Sequence, residues 1–276
     1  MVCNSNKFNV IKSKTSPLII MSPHSGRNYE SSFLNQTKVF LKELRKSEDS
    51  YIDLIFKESH LDFNFIKANF PRMFVDVNRS PLEIDTSMWD STYSHKLTYN
   101  NSAKVIAGIG VFPKVSLDGI NIYKEHLPFS EARNRLLKYY FPYHKKIKFL
   151  INEAKKIHKK VIALDCHSMA SKIVDDETDI ILSNNFGRTS NMTILNKLKK
   201  SFLSYGYKVK INKPFKGGFI TKHYGNPKNN IHFIQIEVNK NLYLFESNYK
   251  IKKKKFENLK NCFLGIINYI NTITIK

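Results

Sequence analysis

The chain has 276 residues, 42% of them hydrophobic and 25% charged, which suits one large α/β domain and argues against a chain that is disordered throughout. Its three scattered cysteines, Cys3, Cys166 and Cys262, form no C-x-x-C pair. This argues against a disulfide framework and a cysteine-based zinc site, and we expect a reducing, cytoplasmic location. The net charge of +22 is spread along the chain apart from the cluster Lys252–Lys255, which favours a solvated basic surface over a dedicated nucleic-acid face.

The order of apolar and polar segments predicts alternating strands and helices. Residues 1–16 are polar and lack the apolar core of a signal peptide, so we expect an N-terminal tail followed by a single domain over 17–276. The apolar runs are strand-sized and far shorter than the ~18 residues that cross a bilayer. Alternation of strands and helices favours a mostly parallel sheet covered on both faces. In chain order the prediction is a strand at Ser16–Ser22, helices at Lys38–Arg45 and Ile52–Lys57, strands at Met73–Val77 and Val105–Val111, a helix at Ser130–His158 that Pro142 would kink or split, strands at Val161–Asp165 and Asp179–Leu182, a helix at Ile194–Tyr205, strands at Lys208–Ile211 and His232–Val238, and a helix at Tyr249–Ile270.

Polar residues capable of catalysis lie at or just after the carboxyl ends of four predicted strands. His24 follows the first strand, Asn78 and Arg79 follow the second, His167 follows Val161–Asp165, and Glu237 lies in the last strand. In open α/β sheets ligands bind beyond the carboxyl ends of the strands. We therefore expect these side chains to gather at one site.

Two of these residues are candidate metal ligands. A lone histidine is more often structural, but His24 and His167 occupy the same topological position after buried strands. Catalytic zinc sites commonly use two histidines and one carboxylate, leaving a position for water. The sequence leaves the carboxylate open among Asp49, Asp53 and Glu30; the first two are four residues apart and would share one helix face.

Glu237 is a candidate general base. It interrupts the apolar run Phe233–Val238, and a buried glutamate needs a partner or a metal nearby. A base acting on water beside a metal would meet that need, although an outward-facing strand residue fits the pattern equally well. Gly217 and Gly218 indicate either a backbone that passes close to a ligand or a tight turn.

Arg72, Asn78 and Arg79 are candidate substrate ligands around the predicted second strand. Arginine binds carboxylates in a bidentate manner, so an Asn-Arg pair at a strand end could hold a carboxylate substrate. The same strand carries Asp76, and a structural pair between this aspartate and an arginine is the alternative interpretation.

With these residues in view, the sequence resembles the N-formylglutamate amidohydrolase family. The family is in turn similar to zinc carboxypeptidases and aspartoacylases, which implies a three-layer α/β/α sandwich with a mostly parallel mixed sheet and one catalytic zinc, or another divalent metal. The motifs that carry the resemblance run in order along most of the chain: SPHSGR at 22–27, FVDVNRSPLEID at 74–85, AGIGVFP at 107–113, Tyr123 with EARNRLLKYYFPYH ending at His144, LDCHSM at 164–169, NKPFKGGFITKHYG at 212–225 and IQIEVNKNLY at 234–243.

The resemblance also implies a role for each candidate residue. It favours Asp49 as the third metal ligand and keeps Asp53 as the alternative. The implied set is His24, Asp49 and His167 as zinc ligands, Glu237 as general base, Asn78 and Arg79 as the carboxylate-binding pair with Gly217 and Gly218 beside the substrate, and Arg72 as a second cation for the substrate or the oxyanion.

The activity implied by the resemblance is hydrolysis of N-formyl-L-glutamate to formate and L-glutamate, usually in histidine degradation. The expected partner is a small anionic N-acyl amino acid rather than a membrane or a nucleic acid. One departure is Arg27 and the residues after it, where the family often has a proline. An enzyme of the same fold with another N-acyl or peptide substrate is the first alternative. A basic nucleic-acid-binding protein, which would give His24 and His167 no role, is the second.

Overall fold

The structure is a computed structural model that describes residues 2–4, 7–57, 62–90, 102–175 and 177–274. Its strands are β1 Val2–Asn4, β2 Phe8–Ile11, β3 Leu18–Ser22, β4 Asn64–Ala68, β5 Val161–Met169, β6 Ile180–Ser183, β7 Val209–Ile211, β8 Ile231–Asn239, β9 Leu244–Phe245 and β10 Lys250–Ile251. Its α-helices are α1 Ser31–Gln36, α2 Leu41–Arg45, α3 Ile52–Ile55, α4 Ala103–Ile106, α5 Phe129–Arg135, α6 Phe141–Ile157, α7 Met192–Ser204, α8 Phe219–Tyr224 and α9 Lys253–Thr274. Within these residues, every helix is too short or too polar to cross a membrane.

An eight-stranded mixed sheet with the order β1-β2-β4-β3-β5-β8-β6-β7 forms the centre of the molecule. The neighbours β4, β3, β5 and β8 are parallel, whereas β2 joins β4 and β6 joins β8 in antiparallel pairs. Every residue of β3 and β5 is buried. Parallel strands covered on both faces read as continuous apolar runs, which is why the sequence predicts these two strands.

Helices cover both faces of the sheet and produce two hydrophobic cores. Successive side chains of a strand point to opposite faces. Ile19 and Met21 of β3 accordingly pack in one core with residues of α6, while Leu18 and Ile20 pack in the other with residues of α3, α7 and α9. This arrangement confirms the predicted three-layer α/β sandwich.

The long helical segment remains helical although it contains a proline. Between α5 and α6, residues Leu136–Tyr140 form one π-helical turn, and Pro142 occupies the first turn of α6. A proline lacks the N–H that a helix interior needs, and a wider turn just ahead of it accommodates the missing bond. The backbone is therefore helical without a break from Phe129 to Ile157, and the irregularity lies at residues 136–140.

Two predicted strands are wrong. Met73–Val77 forms turns rather than a strand, although Val75 and Val77 are fully buried. Val105–Val111 begins inside α4, which Ser102 caps and which ends near Gly108 at φ +69°. The two segments contact each other through a hydrogen bond from the Asp76 N–H to the Val111 carbonyl at 2.8 Å. An apolar run reports burial, and these runs are buried without a strand ladder.

The N-terminal segment and one inner strand were not predicted correctly. Residues 1–16 were expected as a polar tail, but β1 and β2 lie within that range and extend the sheet, with Phe8 and Val10 in the core. The strand β4 was missed altogether. The C-terminal helix begins at Lys253 rather than Tyr249, because Lys250–Ile251 pairs with β9.

The carboxyl ends of the parallel strands place the candidate residues at one edge of the sheet. His167 in β5 is directly opposite Glu237 in β8, and Met21 near the end of β3 is opposite Asp165 in β5. His24 lies two residues beyond β3. The predicted gathering of strand-end groups follows from this register.

Candidate metal centre and its cleft

Three side-chain atoms converge where β3 and β5 end. The Nδ1 atom of His167 lies 2.9 Å from Oδ2 of Asp49 and 3.1 Å from Nδ1 of His24, and the third side of the triangle, from His24 Nδ1 to Asp49 Oδ2, is 3.4 Å. All three residues are buried. Asp49 is held there because its backbone N–H donates to the His24 carbonyl at 3.0 Å and its Oδ1 accepts from Ser168 Oγ at 3.2 Å.

The triangle has the size that a zinc ion requires. Tetrahedral zinc with bonds of about 2.05 Å places its ligand atoms roughly 3.3 Å apart, close to the three distances here. The outer nitrogen of each histidine also faces a carboxylate: Nε2 of His24 donates to Asp76 Oδ1 at 2.7 Å, and Nε2 of His167 lies 3.1 Å from Asp165 Oδ1. Histidines that bind metals commonly have a carboxylate at that position. The His24–Asp49–His167 cluster could therefore hold a metal ion.

The charges around the cluster keep its carboxylates ionised. Burial alone would raise the pKa of Asp49, but His167 and His24 hold that pKa well below its usual range. Burial likewise opposes ionisation of Asp76, yet Arg72, His24 and Arg79 hold its pKa well below normal. Asp76 accepts from Arg72 Nη2 at 2.7 Å and from the Asn78 N–H at 2.8 Å. One buried carboxylate therefore contacts a metal-site histidine, His24, and two candidate substrate-binding residues.

Glu237 has the environment of a proton acceptor. It is 8% exposed, and burial raises its pKa to about 7, with His167 opposing the shift and Asp49 adding to it. Its Oε1 accepts from Gln235 Nε2 at 2.7 Å, and Gln235 Oε1 in turn accepts from the Gly218 N–H at 2.6 Å. A carboxyl with a pKa near neutrality is suited to taking and returning a proton.

Arg79 and Asn78 differ in which of their side-chain atoms form hydrogen bonds within the protein. Arg79 donates from Nε to the Ile109 carbonyl at 2.9 Å and from Nη1 to the Asn78 carbonyl at 3.0 Å, and its Nη2 makes no hydrogen bond with the described residues. Asn78 accepts the Ile220 N–H at 2.8 Å, and its Nδ2 lies 3.2 Å from His167 Nε2. The Asn78 oxygen is thus held by the protein, whereas Asn78 Nδ2 and Arg79 Nη2 are donors that a ligand could use.

Gly218 is required by packing against that amide. A Cβ atom at position 218 would lie 2.4 Å from Asn78 Nδ2, closer than any stable contact. Gly217 adopts φ +109°, a conformation that favours glycine. The two glycines let the 214–219 segment pass directly over the site.

Residues that follow β8 form hydrogen bonds with the loop that carries Asp49. Lys240 Nζ donates to the Lys46 carbonyl at 3.1 Å, and the Tyr243 hydroxyl donates to the Ser50 carbonyl at 2.9 Å. Lys240 is buried, and burial lowers its pKa. No local pattern distinguishes this lysine from the many others in the sequence.

All nine predicted site residues line one cleft of about 600 Å³. The two alternatives for the third metal ligand lie elsewhere: Asp53 pairs with Arg27 and Lys67, and Glu30 is exposed and accepts from the Tyr139 hydroxyl. Asp165 was missed, although an acid inside a buried strand is the same signal that singled out Glu237. The nine that line the cleft are His24, Asp49, Arg72, Asn78, Arg79, His167, Gly217, Gly218 and Glu237.

A histidine–carboxylate cluster beside a buried glutamate in a cation-lined cleft has the parts of a hydrolytic site. The chain belongs to the N-formylglutamate amidohydrolase family, whose model matches residues 16–244. The N-formylglutamate deformylase of Pseudomonas aeruginosa is 27% identical over 240 residues, 83% of each chain. The N-formylglutamate deformylase of Pseudomonas putida is 25% identical over 238 residues, 84% of this chain and 83% of the relative.

Solved structures show the same fold. The crystal structure of N-formylglutamate amidohydrolase from Ralstonia eutropha superposes with a TM-score of 0.87 at 25% identity, covering 96% of this chain and 98% of that one. A gene product of Agrobacterium tumefaciens gives a TM-score of 0.63 at 15% identity over 95% of this chain and 94% of its own. The family resemblance seen in the sequence motifs is therefore confirmed.

Proposed function

We propose that this protein is a zinc-dependent amidohydrolase that cleaves N-formyl-L-glutamate to formate and L-glutamate. The observation that carries the proposal is the convergence of His24 Nδ1, Asp49 Oδ2 and His167 Nδ1 within 3.4 Å of one another. Membership of the family supplies the substrate class, and the cations of the cleft suit an anionic substrate.

His24, Asp49 and His167 would hold the zinc ion. Bound zinc supplies Lewis-acid polarisation of a carbonyl and lowers the pKa of water. Glu237 removes a proton from the water that attacks the formyl carbon, and it then delivers that proton to the amide nitrogen as the C–N bond breaks. The products are formate and the free amine of the amino acid.

The arginines orient the substrate and stabilise the charge that develops on it. Arg72 is fixed by Asp76 through Nη2, and its other nitrogens make no hydrogen bonds with the described residues. We assign it to the carbonyl oxygen, which becomes negative during attack. Arg79 takes the α-carboxylate through Nη2, which positions the amide at the metal. Asn78 is held through Oδ1, which accepts from the Ile220 N–H. We assign its Nδ2 to the substrate carboxylate beside Arg79, because His167 Nε2 carries its own proton when Nδ1 binds a metal and cannot accept from it.

Formate release from N-formyl-L-glutamate tests the proposal. The purified protein is stripped with a chelator and then given zinc, and zinc-restored turnover is expected. His167→Ala should abolish both zinc binding and turnover. His232→Ala is the matched control, because His232 is equally buried on β8 but does not line the cleft. Zinc binding without formate release would point to another N-acyl substrate, and absence of zinc binding would contradict the metal site.

A further inference from the structure

Arg79 and two lysines form a basic wall of the cleft. Lys104 is in α4 and Lys222 is in α8, and both line the cleft that contains the metal cluster. Both side chains are exposed. Neither makes an ion pair or a hydrogen bond within the part of the chain that the structure describes. They come from two separate elements, so their presence in one cleft is a product of the fold rather than of a lysine-rich stretch.

Neither lysine has a carboxylate within ion-pair distance among the described residues, and Glu83 is the one acid of this wall that acts on both charges. Partial desolvation in the cleft lowers the pKa of Lys104, and Arg79 and Arg72 lower it further, while Glu83 opposes them. Partial desolvation and then Lys216 lower the pKa of Lys222, again against Glu83.

The one carboxylate at this wall is already engaged. Glu83 lines the cleft, but one of its oxygens accepts from the Ser80 N–H at 3.0 Å and the other from Ser102 Oγ at 2.8 Å. It therefore fixes the loop and the start of α4 instead of pairing with a lysine. The cations Arg79, Lys104 and Lys222 outnumber this carboxylate, and an anionic ligand relieves the repulsion that remains between them.

We propose that Lys104 and Lys222 bind the side-chain carboxylate of the substrate while Arg79 binds its α-carboxylate. The inference rests on the proposed function and adds the residues that select a dianion. The two carboxyl carbons of glutamate are separated by roughly 5 Å in an extended chain. Lysine ammonium groups on flexible four-carbon stems, in the same cleft as a fixed guanidinium, suit such a pair. The cleft thus distinguishes an acidic N-acyl amino acid from its neutral amide.

The test compares N-formyl-L-glutamate with N-formyl-L-glutamine, which has almost the same shape and lacks the second charge. Lys104→Met and Lys222→Met retain the stems and remove the charges. Each should lower kcat/KM for the glutamate substrate about 5-fold, through KM, and the double variant about 30-fold. The glutamine substrate should change less than about twofold. Lys197→Met is the control, because Lys197 is exposed on α7 outside the cleft, and it should leave both substrates unaffected.

The outcomes separate this inference from the proposed function. If the wild type hydrolyses neither substrate, the proposed function fails. Calorimetric titrations with L-glutamate, the product, and with L-glutamine then still test the assignment of Lys104 and Lys222. The double variant should lose the preference for L-glutamate. If the wild type hydrolyses both substrates equally, or if the lysine variants lower kcat/KM for both substrates alike, the proposed function stands. The assignment of Lys104 and Lys222 to the side-chain carboxylate is then wrong.

Discussion

Replacing Asp76 with asparagine should weaken metal binding without touching a metal ligand. Asp76 accepts from His24 Nε2 and Arg72 Nη2, each at 2.7 Å, and from the Asn78 N–H at 2.8 Å. The substitution keeps the shape and removes the charge that orients the His24 ring. Outer carboxylates of this kind are worth about 10- to 100-fold in metal affinity, or about 1.4–2.7 kcal/mol.

The assay is zinc affinity by competition with a chromophoric chelator. Asp53→Asn is the matched control, because Asp53 is also a buried carboxylate with two cationic partners, Arg27 and Lys67, but it lies outside the cleft. Both substitutions break buried ion pairs, so each should lower the free energy of unfolding by about 3 kcal/mol. A zinc affinity that is unchanged in Asp76→Asn, or equally reduced in both variants, would refute the assigned role of Asp76.

Three further predictions concern Glu237, His144 and Gly218. Glu237→Gln should reduce kcat by about 10²- to 10⁴-fold while one zinc still binds; normal turnover would exclude Glu237 as the base. Burial lowers the pKa of His144 to about 4 from 6.5. The neutral histidine therefore contributes its full stabilisation above pH 6.5. This contribution, at most about 3 kcal/mol, is lost as the pH falls toward 4. Urea unfolding at pH 7.5 and 4.5 should show this loss and His144→Gln should remove it; an identical loss in the variant would contradict the assignment. Gly218→Ala places a Cβ 2.4 Å from Asn78 Nδ2 and should lower kcat/KM about 100-fold, and an unchanged value would show that the 214–219 segment adapts freely.

Much of the candidate site was predictable because its residues end buried parallel strands. His24, His167 and Glu237 each sit in or after a continuous apolar run, and parallel register brings such positions to one edge. Polar side chains at the ends of strands were therefore informative before any tertiary contact was known.

The residues that sequence reasoning could not separate depend on long-range contacts. Asp49 and Asp53 share a local pattern, yet Asp49 is tied to His24 and Ser168 while Asp53 turns to Arg27 and Lys67. The resemblance favoured Asp49, and spacing alone did not.

Burial without strand pairing caused the errors in secondary structure. Val75 and Val77 are as buried as the residues of β3, but their segment bonds to the Val111 loop and to side chains instead of forming a ladder. The reverse error affected β2, where a four-residue strand lies in a polar stretch. Hydrophobic pattern therefore located the core more reliably than the type of element.

Anomalous diffraction at the zinc absorption edge from crystals of the zinc-loaded protein tests the central claim most directly. The account predicts one strong peak per chain, within bonding distance of His24 Nδ1, Asp49 Oδ2 and His167 Nδ1. A chain with no peak there, or with its peak at Asp53 or elsewhere, would contradict the metal centre on which the proposed hydrolysis depends.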